Sequence, residues 1–158
     1  MLNIKAYERN IAEEFYEHAQ ALGDDGFAKF MMYWVGFNWL YRGTESHGTE
    51  RDQIRSFYMQ NINSFDKYDP FCSPASSIFL QSPVNDMYFE STDRAKDNFE
   101  KVKNHDPLGL LLTVYQVRCN LFHGSKSLRA ERDMLLVDSA AEIIGQYLKV
   151  LIDDMPKM

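Results

Sequence analysis

The chain lacks most of the signatures that settle a function by themselves. It has only two cysteines, Cys72 and Cys119, with no CxxC pair and no metal-type spacing. That excludes a disulfide framework and a zinc-ribbon pattern, leaves one bridge formally open, and favours two reduced thiols in a cytoplasmic setting. No run approaches the ~20 consecutive apolar residues of a membrane span, and the opening "MLNIKAYERNIAEEF" reads as an amphipathic helix and not as a leader. An excess of positive charge is also missing. Lys and Arg number 17 against 23 Asp and Glu, a formal net charge of −6, so the chain does not coat nucleic acid by bulk charge. It has no Gly-rich phosphate loop, no Ser/His/Asp order and no zinc motif. Internal repeats and low-complexity tracts are absent, and strand-like alternation is scarce throughout.

What is present is the composition of a folded domain. Hydrophobic residues make up 45% and aromatic residues 14% of 158 positions, which excludes disorder and fits one domain able to bury about 70% of its unfolded surface. The expected architecture is all-α, a single-domain helical bundle over residues 1–158, with about five main helices and an irregular insertion at 66–90. Ile4, Tyr7, Ile11, Phe15 and Leu22 recur at helical spacing in the first helix, with Ala6, Ala12 and Ala19 nearby, and the exposed face is acidic (Glu8, Glu13, Glu14, Glu17). Residues 27–43, "FAKFMMYWVGFNWLYRG", are apolar almost all round and predict a buried helix in which Asn38 ties neighbours together. A third helix spans 49–65, capped by Thr49 with Asp52 three places on, and Ile54, Phe57, Tyr58, Ile62 and Phe65 form its apolar face. Pro70, Pro74 and Pro83 forbid long helices in the insertion, leaving short helical turns and loops. A short charged helix follows at 91–105. The next helix opens at Asp106–Pro107 and ends at His123–Gly124, and a long last helix runs from about Leu128 to Asp154.

The helix from Pro107 to His123 poses the functional question. Leu108, Leu111, Tyr115, Arg118 and Phe122 fall on one line, so Arg118 stands where the pattern asks for an apolar residue. Such an arginine is either tied to a carboxylate or open to a cleft, since an unpaired buried charge is costly. His123 lies in the last turn, where the helix dipole favours the protonated ring. From Gln116 to Arg132 the cations are Arg118, Lys126, Arg129 and Arg132 against the single acid Glu131. This local basic balance, inside an acidic chain, suits a phosphodiester.

Arg118 and His123 in "RCNLFH", placed on the penultimate helix of an all-α chain and followed by a Gly-containing turn and a long final helix, resemble the R-x4–6-H motif of the HEPN superfamily. "YWVGFNWLY" in the second helix is similar to the aromatic segment of uncharacterised prokaryotic members. Two departures stand out. Cys119 follows the arginine where many active members have Asn, Asp or His, with Asn120 one place later. Ser125 occupies the position where some members have a tyrosine modified by a nucleotidyltransferase.

The resemblance implies a metal-independent endoribonuclease acting as a homodimer in a toxin–antitoxin or defence setting, with an antitoxin or nucleotidyltransferase as partner, and with no cofactor, metal or membrane. Arg118 and His123 are then the catalytic residues, and Asn120, Lys126 and Arg129 support RNA binding. The chemistry is consistent. Attack by the 2′-hydroxyl needs a base, an acid and a cation for the phosphorane, and one histidine cannot conveniently be both base and acid, which a two-fold site resolves. Two alternatives are a catalytically inactive module of the same fold that binds a nucleotide, RNA or a partner protein, and a structural subunit in which Arg118 only bridges helices. His18, His105 and His47 (the last beside Glu45 and Glu50) show no ligand spacing.

Overall fold

In the computed structural model, residues 2–46, 48–85, 93–122 and 130–157 are described, with side chains from Ala6 onward. Every regular element among them is helical, and no strand occurs among them. Seven α-helices are described: α1 (Leu2–Gln20), α2 (Gly26–Tyr41), α3 (Glu50–Gln60), α4 (Ile62–Phe65), α5 (Asp93–Lys103), α6 (Pro107–Phe122) and α7 (Glu131–Asp154). The chain divides into two compact units, Met1–Tyr68 with Ile144–Met158, and Asp69–Ile143.

The first unit is built around α2. Asp25 caps it by accepting from the Ala28 amide at 3.0 Å, and Phe30, Tyr33, Trp34, Phe37, Leu40 and Tyr41 are buried along it. Asn38 is half-buried. The aromatic-rich sequence closes into a continuous chain of edge-on rings. Phe37 meets Trp34, Tyr41 and Phe57, Phe57 meets Phe65, and Phe65 meets Tyr147 on α7, with centroids 4.9–5.9 Å apart. These edge-to-face arrangements set the positive ring edge against the negative face.

Helix α1 packs on α2, with its small residues at the closest approach and Phe15 of the large line beside them. Tyr7 is 54% exposed, whereas Ala6, Ala12 and Ala19 are buried. The physical reason is close approach: a β-carbon at Gly36 of α2 would come within 3.1 Å of the Ala12 carbonyl and 3.0 Å of Leu148. Small residues therefore face the contact, and the larger ones flank it. Arg9 sits on this alanine line, 2% exposed. Its Nε donates to the Ile152 carbonyl at 3.1 Å and its guanidinium pairs with Glu13, so the buried charge is both paired and hydrogen-bonded.

Thr49 caps α3 in a full capping box with Asp52. The Thr49 amide, and then its hydroxyl, hold the Asp52 carboxyl below the usual carboxylate range. The single helix expected over 49–65 is broken at Asn61, whose side-chain amide donates to the Phe57 carbonyl at 2.9 Å. Asparagine competes with the helix for its own backbone in this way. The break turns Ile62 outward and leaves Phe65 buried.

In the second unit the proline-rich segment forms two 3-10 turns, Pro70–Cys72 and Pro74–Leu80, each with proline in its first turn and capped by the side chain of Asp69 or Ser73. The second turn packs on α5, and α5 packs on α6. Ser73 Oγ donates to Glu142 Oε1 at 3.2 Å, and Arg132 Nη2 donates to Ser82 Oγ at 2.6 Å, which fastens the first part of α7 to this segment. Helix α5 ends with His105 in the left-handed region, φ 58°. The His105 and Asp106 amides donate back to Val102 and Lys101, each at 2.9 Å, the paired bonds of a Schellman ending. Glycine is the usual occupant of that position. Here the His105 ring stacks on Phe71, with centroids 4.6 Å apart.

Helix α6 starts at Pro107, and Asp106 accepts from the Leu108 amide at 3.0 Å. Gly109 sets its distance from α5: a β-carbon there would lie 2.6 Å from Lys101 Cβ. Gly109→Ala is therefore expected to push the two helices apart and to lower stability by about 1–3 kcal/mol. Urea unfolding followed by far-UV circular dichroism checks it; an unchanged midpoint would show that α5 gives way without cost.

Candidate functional site

The exposed end of α6 carries the residues of interest. From Gly109 to Val117 every side chain of this helix is buried, and its apolar sequence leaves no polar face. The line Leu108, Leu111, Tyr115, Arg118, Phe122 then comes out of the core. Leu111 and Tyr115 are buried, Arg118 is half-buried, and Phe122 is 54% exposed. The helical period explains the geometry, since positions three and four apart share one side of the helix. The Arg118 guanidinium lies over the Phe122 ring, 4.3 Å from its centroid, and 5.9 Å from that of Tyr115. Both rings present an electron-rich face to the cation, which fixes its direction at the helix end.

Asn120 occupies another side of the same turn. Two residues turn the helix by about 200°, away from Arg118. Asn120 is 0% exposed; its amide donates to the Asn85 carbonyl at 2.9 Å, and its Oδ1 accepts from Gln116 Nε2 at 3.0 Å. So placed, Asn120 holds α6 to the chain that leaves the 3-10 segment, and an RNA contact would need it to give up both bonds. Cys119 is half-buried between the two sides, and Cys72 is exposed; both are free thiols. The Asp69 carboxylate, which accepts from the Cys72 thiol at 3.2 Å, pushes that thiol's pKa up and keeps it a poor nucleophile.

Arg118 and Asn120 are thus on one helix but on different sides. His123, Lys126 and Arg129, the remaining residues singled out by sequence, lie outside the described residues. Arg132 of the same basic stretch is exposed. Periodicity alone places Phe122 with the packing residues, and its exposure becomes visible only in the fold. Gln116, four residues before Asn120, is a partner that helical spacing could have supplied. Asn85 could not have been found that way, because it lies 35 residues away in the chain.

Among the described residues no three His, Cys, Asp or Glu side chains gather as a metal site. His18 closes the last turn of α1, His105 stacks on Phe71, and His47 is outside the described residues. No described helix is long and apolar enough to cross a membrane. No family model, no characterised protein and no solved structure matches the chain.

Proposed function

We propose that the chain is a metal-independent endoribonuclease of the HEPN type, with Arg118 and His123 as its catalytic pair and with two copies completing one site. The observation that supports this reading best is the placement of Arg118. It stands at the point where an otherwise buried helix emerges, five residues before the histidine, and its cation is seated on an exposed ring. The guanidinium fork suits a phosphate and the extra charge of a phosphorane. The imidazole, with an unperturbed pKa of ~6.5, suits proton transfer to and from ribose oxygens. In the sequence Lys126, Arg129 and Arg132 follow the pair and add positive charge, which suits an RNA backbone. The direct experiment is to incubate the purified protein with single-stranded RNA in EDTA beside His123→Ala. Cleavage by the wild-type protein alone is expected. Equal cleavage by both proteins, or none by either, would remove the reading.

A second reading has a specific observation in its favour. Cys119 follows the arginine, and the neighbouring amide of Asn120 is held inside the fold, so the motif has few polar groups with which to orient a substrate. The same surface would then bind RNA or a nucleotide without turnover. Arg118-dependent binding with no product formed distinguishes it.

A further inference from the structure

Phe122 enters the reading above only as the ring beneath Arg118, and its own exposed position is given no role there. It is the last described residue of α6 and is 54% exposed, while Arg118, Tyr115 and Leu111 before it on the same line are progressively more covered. A phenylalanine placed so contributes little to the core. Its ring is nonetheless held in place. The Arg118 guanidinium covers one face at 4.3 Å, four residues back on the same side of the helix, so the exposed surface of Phe122 lies away from that face.

We propose that Phe122 is a base-stacking residue, whose outer face receives a nucleobase of single-stranded RNA while Arg118 backs the ring and engages the adjoining phosphate. The inference rests on the reading of Arg118 as a phosphate-binding residue. Three features along one side of the helix carry it: a flat apolar ring open to solvent, a cation fixed on its far side, and a second ring, Tyr115, that helps to seat the cation. The planar guanidinium carries its N–H donors in a fork whose geometry takes phosphate oxygens. Aromatic face and cation together are the chemistry that recognises unpaired bases, whereas bases in a duplex are already stacked on each other. Stacking is tolerant of base identity, so the site sets where the strand lies and does not read its sequence. The positive charge beside the ring also favours a polyanion over a purely apolar partner.

The test uses the full chain and a short single-stranded RNA with 2′-O-methyl groups, which cannot be cut through the 2′-hydroxyl, and with 2-aminopurine as the stacking reporter. Wild type is compared with Phe122→Ala, Phe122→Leu and Phe122→Trp, and sedimentation is run on each. Because the ring is more than half exposed, the Leu and Trp variants are expected to fold even if the Ala variant does not. The proposal expects affinity to fall roughly tenfold for both Ala and Leu, with loss of 2-aminopurine quenching, and to be kept by Trp. A Leu variant that binds and quenches like wild type overturns it, since any apolar side chain then serves. So does an Ala variant that turns a dimer into monomer with unchanged RNA affinity, which would assign the ring to an interface between copies. Ring-dependent binding by a protein that fails to cut unmodified RNA leaves the stacking site standing and removes only the nuclease reading. Cleavage and affinity that ignore Phe122 do the reverse, and no RNA binding by wild type removes both.

Discussion

On the proposed ribonuclease reading, alanine at Arg118 is expected to slow RNA cleavage by about 100- to 1000-fold while lowering the unfolding free energy by only about 1–2 kcal/mol. The two halves come from different observations. The rate effect is that of removing a fixed donor from a site where charge develops in the transition state. The small stability effect follows from the side chain's surroundings. Arg118 is half-buried at the end of α6, where water screens and can replace polar contacts, and its contacts with the Phe122 and Tyr115 rings are each worth a fraction of a kcal/mol to about 1 when exposed. A bridging role inside the core predicts the opposite pattern: about 3–5 kcal/mol lost once the partner is left buried and unpaired. Arg118→Lys keeps the charge but not the planar fork, so it should restore stability and only part of the rate. His123→Ala should cost about 100- to 10,000-fold, the range for loss of a positioned acid or base. The double variant should be scarcely slower than the worse single one, because groups that act as a unit do not add. Single-turnover cleavage in EDTA and urea unfolding on the same preparations give both numbers. A severely destabilised Arg118→Ala protein, or one that cleaves normally, would return the residue to a structural role.

How far the sequence foretold this arrangement differs from helix to helix. Helix α6 was legible at its start, where Asp106 and Pro107 supply a cap and a pre-set φ without any tertiary help. It was legible along its middle too, since a run with no polar face has nowhere to be but inside. Its far end was not. The period fixes which residues share a side, but not the point at which that side leaves the core, so Phe122 was grouped with buried Leu111 although it is exposed. The separation of Asn120 from Arg118 followed from the 100° step alone, whereas the Asn85 carbonyl that holds Asn120 required the fold. Helix α1 shows another limit. A hydrophobicity pattern weights Tyr7, Ile11 and Phe15, while the contact with α2 is decided by how closely backbones approach, which favours Ala6, Ala12 and Gly36. The burial of Arg9 is likewise invisible to periodicity, because it is made tolerable by Glu13 and by a carbonyl more than a hundred residues away, Ile152. Asn61 could have been suspected as a helix breaker, since its side chain competes for the backbone, but the apolar periodicity ran straight across it. Of the candidate site, the sequence supplied Arg118 and the structure supplied the ring on which it rests.

Replacing Phe37 with alanine is expected to destabilise the first unit by about 3–5 kcal/mol, the largest effect on stability foreseen here. Phe37 is 0% exposed and stands where the aromatic chain branches, with centroids 5.3 Å from Trp34, 4.9 Å from Tyr41 and 5.9 Å from Phe57. Truncation removes the transfer free energy of the ring and leaves a cavity whose walls are rigid rings, which relax into it poorly. It also breaks three edge-to-face pairs, each worth about 0.5–1.5 kcal/mol in isolation and not additive around one ring. Phe37→Leu fills most of the volume and should cost markedly less. The readout is selective because both tryptophans, Trp34 and Trp39, lie on α2. Urea unfolding followed by tryptophan fluorescence therefore reports the first unit directly. A loss below about 1.5 kcal/mol for the alanine variant would mean that Trp34, Tyr41 and Phe57 repack to close the gap, and that the aromatic chain is a looser core than its ring geometry indicates.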